Sequence, residues 1–146
     1  RKDLHMIDAT DVPATGRVQL ALNVTDIDDA VSFYSKLFGS EPTKRRDGYA
    51  NFAIDEPPLK LVLIEGPEGG TINHLGVEVD GADAVSAAAG RLQALGVATD
   101  EEASVACCYA LQDKVWATGP DGERWEYYAV LADTEGMEKA EQPACC

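Results

Sequence analysis

The feature that most constrains this chain is that it repeats itself. Gln19-x-x-Leu22-x-Val24 in "RVQLALNV" matches His74-x-x-Val77-x-Val79 in "NHLGVEV" at an offset of 55, and "PPLKLVL" (57–63) matches "ERWEYYA" (123–129) at an offset of 66. Between these matches, "DDAVSFYSKLFG" runs parallel to "ADAVSAAAGRLQALG". A repeated order of whole modules is a fold-level statement, because each copy is one supersecondary unit that needs its partner to bury an apolar face.

Each copy reads as strand, helix, then about three strands. Val18, Leu20, Leu22 and Val24 alternate with Gln19, Ala21 and Asn23, which predicts a strand over 17–24. Ile27, Ala30, Val31, Tyr34, Leu37 and Phe38 follow a helical period over 26–39, with Asp26 as N-cap and Gly39 as the stop. Strands over 49–54 and 59–65 flank Pro57-Pro58, and "EGPEGG" (65–70) links the copies. The second copy has a strand at 73–79, a helix at 82–96, and two strands within 109–132 around Pro120-Asp121-Gly122. The expected fold is α+β: two tandem βαβββ modules. Residues 1–16 form an N-terminal arm and 17–132 one domain, with modules at about 17–66 and 72–132. Residues 133–146 form a flexible tail carrying a cysteine pair.

The repeat aligns Gln19 with His74 and Lys60 with Glu126, each on a strand. Two similar modules related by a pseudo-twofold bring these positions toward one centre. An imidazole, a carboxylate and an amide oxygen make a nitrogen/oxygen set suited to divalent Fe, Mn, Ni or Zn, with positions left open for other ligands. Residue types alone leave the ordinary alternatives standing: His74 as a satisfied structural histidine and Glu126 on a solvated face.

Charge narrows the partners. Twelve Lys plus Arg against 26 Asp plus Glu give a net charge of −14, a field that repels nucleic-acid backbones and anionic lipid. No apolar run approaches the roughly 18 residues of a spanning helix, and "RKDLHMIDATDVPATG" lacks an apolar signal core. The expectation is a cytoplasmic protein, monomer or homodimer, binding neither nucleic acid nor membrane.

The four cysteines occur as two vicinal pairs, Cys107-Cys108 and Cys145-Cys146. A disulfide framework spreads cysteines to staple loops, so this layout predicts free thiols in a reducing compartment. A thiolate pair is soft and suits Cu(I), Cd(II), Hg(II) or trivalent arsenic. Two adjacent thiolates can chelate a trivalent organoarsenical through the two positions that its As–C bond leaves. The alternative for Cys107-Cys108 is two small apolar side chains at a strand start. Cys145-Cys146 is a second soft-metal handle or is irrelevant to turnover.

"RVQLALNVTDIDDAVSFYSKLFG", "NHLGVEV" and "GPDGERWEYY" resemble the vicinal oxygen chelate superfamily of glyoxalase I, extradiol dioxygenases and fosfomycin and bleomycin resistance proteins. The resemblance covers about residues 17–132. It implies paired βαβββ modules forming a curled sheet around a divalent metal site, with ligand positions falling on Gln19, Lys60, His74 and Glu126. Gln19 stands where a His is common, and Lys60 where glyoxalase I has a carboxylate. A protonated ammonium cannot ligate a cation, so the resemblance implies a three-ligand site with open positions rather than the four-ligand glyoxalase site.

"YANFAIDEPPLKLVLIEGP", "ACCYALQDKVWATGPDGERWEYYAVLAD" and the terminal Cys-Cys sharpen this to the subfamily of Fe(II)-dependent carbon–arsenic lyases and cadmium-induced proteins. The resemblance implies that Gln19, His74 and Glu126 hold Fe(II), with Ni, Co, Mn or Zn as substitutes. It implies that Cys107 and Cys108 bind a trivalent organoarsenical, which O2-dependent cleavage converts from methylarsenite to arsenite in arsenic resistance. The 99–109 segment is expected to be a mobile carrier loop. Lys114, Tyr109, Trp116 and Trp125 are candidate substrate-pocket residues, ordinary core and rim packing being favoured for the two tryptophans. A soft-metal binder without turnover is the alternative function, and another enzyme of the superfamily, such as a ring-cleaving dioxygenase, ranks below it.

Overall fold

The computed structural model describes residues 12, 16–107 and 109–133, with Cys107 and Asp133 as backbone only. Its elements are β1 (Arg17–Val24), α1 (Ile27–Phe38), β2 (Lys44–Arg46), β3 (Tyr49–Ile54), β4 (Leu59–Glu65), β5 (Thr71–Glu78), α2 (Ala82–Ala94), β6 (Thr99–Cys107), β7 (Ala110–Thr118) and β8 (Arg124–Asp133). They form an α+β arrangement of one eight-stranded mixed sheet, in the order β2-β3-β4-β1-β5-β8-β7-β6, and two helices.

The repeat is visible in the sheet. β1 and β5 pair antiparallel at its middle; β1 takes β4 as its parallel neighbour and β5 takes β8. Helix α1 packs on β3 and β4, and α2 on β7 and β8. One apolar cluster gathers Ile27, Val31, Phe52, Leu61 and Leu63 under α1, and another Val85, Ala88, Ala89, Val115 and Ala129 under α2. Strand alternation then sends the intervening residues to the opposite face.

That opposite face is buried and polar. Arg17, Gln19, Asn51, His74, Glu78, Gln112, Lys114 and Glu126 are all buried. It is closed partly by contacts between distant parts of the sheet order. Lys44 on β2 donates from Nζ to the Tyr109 carbonyl at 2.9 Å, and the Tyr49 and Tyr109 rings lie 5.3 Å apart. Tyr109 belongs to the β6–β7 turn, so that turn is seated against module 1.

Two elements differ from the sequence expectation. Residues 44–46 form an additional short strand, β2. The segment expected to be a mobile carrier over 99–109 is mostly strand: β6 pairs with β7 from Thr99 to Cys107, with a register shift between Glu102 and Val105. Backbone pairing holds this segment at the sheet edge, so it is not a free loop.

Candidate metal centre

Gln19, Gly76, Glu126 and Trp116 stand in one row across β1, β5, β8 and β7. Gly76 has no side chain to separate its neighbours, so Gln19 Nε2 reaches over it to donate to Glu126 Oε2 at 2.7 Å. A Cβ on Gly76 would lie 2.9 Å from Glu126 Cγ and 3.0 Å from both Gln19 Nε2 and the Glu126 carbonyl. His74, one alternation away on β5, completes the group: its Nε2 is 3.2 Å from Gln19 Nε2 and 3.0 Å from Glu126 Oε2. All three side chains are 3 % exposed or less.

Electrostatics favours the charged carboxylate. Burial opposes ionisation of Glu126 more than any other single influence. The Lys114 ammonium together with the hydrogen bond and charge of His74 outweighs it and holds the carboxyl below its ordinary value. Lys114 Nζ lies 2.9 Å from Glu126 Oε1 in an ion pair, and Lys114 is itself 1 % exposed. Glu126 is thereby divided: Oε1 faces Lys114, and Oε2 faces Gln19 and His74. Lys114, expected in the substrate pocket, contacts this carboxylate.

The donor set fits a divalent cation. Three polar atoms converge at separations of 2.7, 3.0 and 3.2 Å. Ligands about 2.1 Å from a metal at right angles stand about 3.0 Å apart. Rotating the Gln19 amide half a turn exchanges Nε2 for Oε1 at nearly the same place. Among the described residues, no group of three or more His, Cys, Asp or Glu gathers; the trio depends on its amide.

Lys60, aligned with Glu126 by the repeat, is turned elsewhere. Its Nζ is 3.5 Å from Glu78 Oε1, to which Arg17 Nε also donates at 2.9 Å. Burial lowers the Lys60 pKa against the opposing pull of Glu78. The aromatics close the site. The Trp116 ring meets His74 edge-on with centroids 5.3 Å apart, with Lys114 over its face at 5.4 Å and Arg124 at 4.3 Å. Trp116 is buried, whereas Trp125 is 37 % exposed, as expected of core and rim packing.

Tyr49 and Tyr128 line the same face and were not singled out in the sequence. Burial pushes the Tyr49 phenol up to about 12, and the Tyr128 phenol rises well above its ordinary value through burial and the nearby Glu78 and Glu126 carboxylates. Asn51 donates to the Tyr49 hydroxyl at 2.9 Å, while the Tyr128 hydroxyl is buried with no hydrogen-bond partner among the described residues. The period-two rule could have found Gly76 and Tyr128, which stand two residues from His74 and Glu126.

Cys107 ends β6 opposite Ala110, and its side chain lies outside the described residues, as do Cys108, Cys145 and Cys146. Tyr109, which follows the first pair in sequence, is described. Its ring packs on Tyr49, whose phenol in turn feels the Glu126 charge.

The chain is similar to known proteins in sequence and in fold. The cadmium-induced protein CadI of Mycobacterium tuberculosis is 62% identical over 120 residues, 82% of this chain and 79% of that protein. A trivalent organoarsenical cleaving enzyme of Thermomonospora curvata is 58% identical over 132 residues, 89% of this chain and 87% of that enzyme. The fold is similar to that of the Mn(II)-bound glyoxalase from Novosphingobium aromaticivorans, with TM-score 0.60 and 23% identity over 82% of this chain and 41% of that one. The family pattern spans residues 16–127, and the chain belongs to the Glyoxalase/Bleomycin resistance protein/Dioxygenase superfamily.

Proposed function

We propose that this protein is a non-haem Fe(II)- and O2-dependent carbon–arsenic lyase that demethylates trivalent organoarsenicals, converting methylarsenite to arsenite. The observation that carries the reading is the buried convergence of Gln19, His74 and Glu126. The 58% identity to an organoarsenical cleaving enzyme supplies the substrate class. On this reading the sheet curls around the metal.

Gln19 through its amide oxygen, His74 through Nε2 and Glu126 through Oε2 would hold the iron, which when bound supplies a redox centre with open positions for O2. Lys114 keeps Glu126 charged and engages its second oxygen, so the carboxylate is presented through Oε2. Trp116 and the buried face exclude water, which strengthens every charge interaction there. The Cys107 and Cys108 thiolates capture arsenic; once one has bound, the other binds intramolecularly. Holding the arsenical beside the metal turns an encounter into a positioned reaction.

The test is arsenic speciation after incubating iron-loaded protein with methylarsenite under air and under argon. Arsenite formed in air alone is the expected result. No arsenite in air from protein with iron demonstrably bound ends the proposal. The 62% identity to a cadmium-induced protein favours one second reading, a soft-metal binder without turnover. It predicts Cd(II) binding that survives His74→Ala and is lost with Cys107 and Cys108.

A further inference from the structure

We infer that the outer face of the central strands β1 and β5 is a self-association surface: the protein forms a twofold dimer in which helix α1 of each copy packs against α2 of the other. This surface lies on the side of the sheet away from Gln19, His74 and Glu126, so it stands apart from the proposed metal centre.

The helices cover the flanks of the outer face and leave its middle open. α1 packs on β3 and β4, and α2 on β7 and β8, while β1 and β5 stand between them in the sheet. Strand alternation turns Val18 and Leu20 of β1 away from Gln19, and Leu75 and Val77 of β5 away from His74 and Gly76. The register sets Val18 beside Val77 and Leu20 beside Leu75, with Trp125 of β8 next to Leu75. Ile72 pairs with Leu22 at the far end. None of these side chains is charged, in a chain that carries −14. Val18, Ile72 and Trp125 are 50 %, 57 % and 37 % exposed.

The trough between the helices has two unlike walls. Matching Ala30-Val31 of α1 with Ala84-Val85 of α2 aligns Phe33 with Ala87 and Leu37 with Arg91. Positions three and seven residues after the matched alanine run along one flank of a helix. On α1 that flank faces the trough: Phe33, with Leu22, Val24, Asp29 and Gly70, lines a cleft of about 490 Å³ beside β1. On α2 it does the same, because the Arg91 guanidinium lies 5.7 Å from the ring of Tyr127, the β8 neighbour of Val77. The α1 wall is bulky and apolar, with Phe33 and Leu37 each 57 % exposed. The α2 wall is an alanine and a cation.

Unlike walls on one surface suit a second copy of the chain. A twofold axis parallel to the central strands keeps the ends of the sheet level and exchanges its flanks, so α1 of one copy meets α2 of the other. The bulky wall then meets the alanine, and Asp29 in the first turn of α1 meets Arg91 in the last turn of α2. The two turns share one end of the sheet because β1 and β5 are antiparallel: α1 starts where β1 finishes, and α2 returns toward that end. The area is also sufficient. At roughly 200 Å² for a large side chain, the exposed parts of Val18, Phe33, Leu37, Ile72 and Trp125 present roughly 500 Å² of apolar surface. A stable dimer removes about 800 Å² per copy, about 65 % of it apolar.

Sedimentation equilibrium of the full chain tests the pairing, with Phe33→Ala, Ala87→Phe and the double variant compared with wild type. Wild type is expected at twice the chain mass of 15.6 kDa. Phe33→Ala leaves a hole and Ala87→Phe a clash, so each should weaken the dimer by about 10-fold or more. The double variant exchanges the bulky and small sides and should recover most of that loss. Arg91→Glu, which sets an acid against Asp29, should also weaken the dimer. All three positions are exposed in the single chain, so each variant should keep the wild-type far-UV circular dichroism. A wild type that sediments as a single chain overturns the inference. So does a dimer that neither single substitution in the pair weakens, which places the contact elsewhere. A double variant no tighter than Phe33→Ala or Ala87→Phe refutes the packing of α1 on α2.

Discussion

Gly76 shows how much a single residue decides. Its missing side chain is the space through which Gln19 and Glu126 meet, so Gly76→Ala should destabilise the fold by about 1–3 kcal/mol through overpacking and separate the trio. Urea unfolding and Co(II) titration check the two effects, and a variant with wild-type metal affinity would show that the strands yield. Tyr128 makes the opposite case. A buried unpartnered hydroxyl carries a desolvation penalty of about 1–3 kcal/mol, so Tyr128→Phe should unfold no more readily than wild type. Tyr49→Phe, which strips Asn51 of an acceptor, should unfold more readily. Glu126 gives a pH dependence. Its folded-state pKa lies below the ordinary 4.5, so the unfolded chain takes up the proton first as pH falls. Its contribution is present above that ordinary value and is lost through the lowered one. The stability gap between wild type and Glu126→Gln, measured in urea at neutral pH and in acid, should narrow on acidification.

At the scale of elements, what was legible depended on whether a segment's pattern was local. Helix α1 was plain because its signals sit in it: Asp26 Oδ1 accepts from Asp29 N at 2.9 Å, and Gly39 takes a left-handed φ of 63° at the stop. Asp26→Ala should therefore cost about 1 kcal/mol, seen as a lower urea midpoint with an unchanged slope. Strand β6 was hidden because Asp100, Glu101 and Glu102 spoil any apolar alternation and Ser104 interrupts it with a φ of 52°. Acidic residues and a bulge are what an edge strand carries to resist pairing with another chain, so the features that mask it in sequence belong to its place in the sheet. The three-residue β2 escaped for a different reason: it is held by pairing with β3, not by its own residues.

At the scale of the whole molecule, the repeat located Gln19, His74 and Glu126 because a pseudo-twofold makes equivalent positions neighbours. It could not locate Lys114 or the seating of Tyr109, because those contacts break the symmetry and arise only once the strands are packed. This asymmetry divides the proposed work. The proposed metal donors lie on β1, β5 and β8, whereas the first thiol pair directly precedes, in sequence, Tyr109, whose carbonyl and ring meet Lys44 and Tyr49. Borderline and hard ligands should therefore retain iron when sulfur is lost, and sulfur should retain arsenic when iron is removed. Cys107→Ser is expected to keep its iron stoichiometry while its arsenical affinity falls. Iron-free wild type is expected to bind methylarsenite but release no arsenite. It should also lose the linkage stabilisation that a ligand at 100 times its Kd provides, about 2.7 kcal/mol, read as a lower unfolding midpoint than the Fe(II)-loaded protein. Loss of iron from Cys107→Ser would place sulfur within the metal's own ligand set, and the two-part division of the site would be wrong.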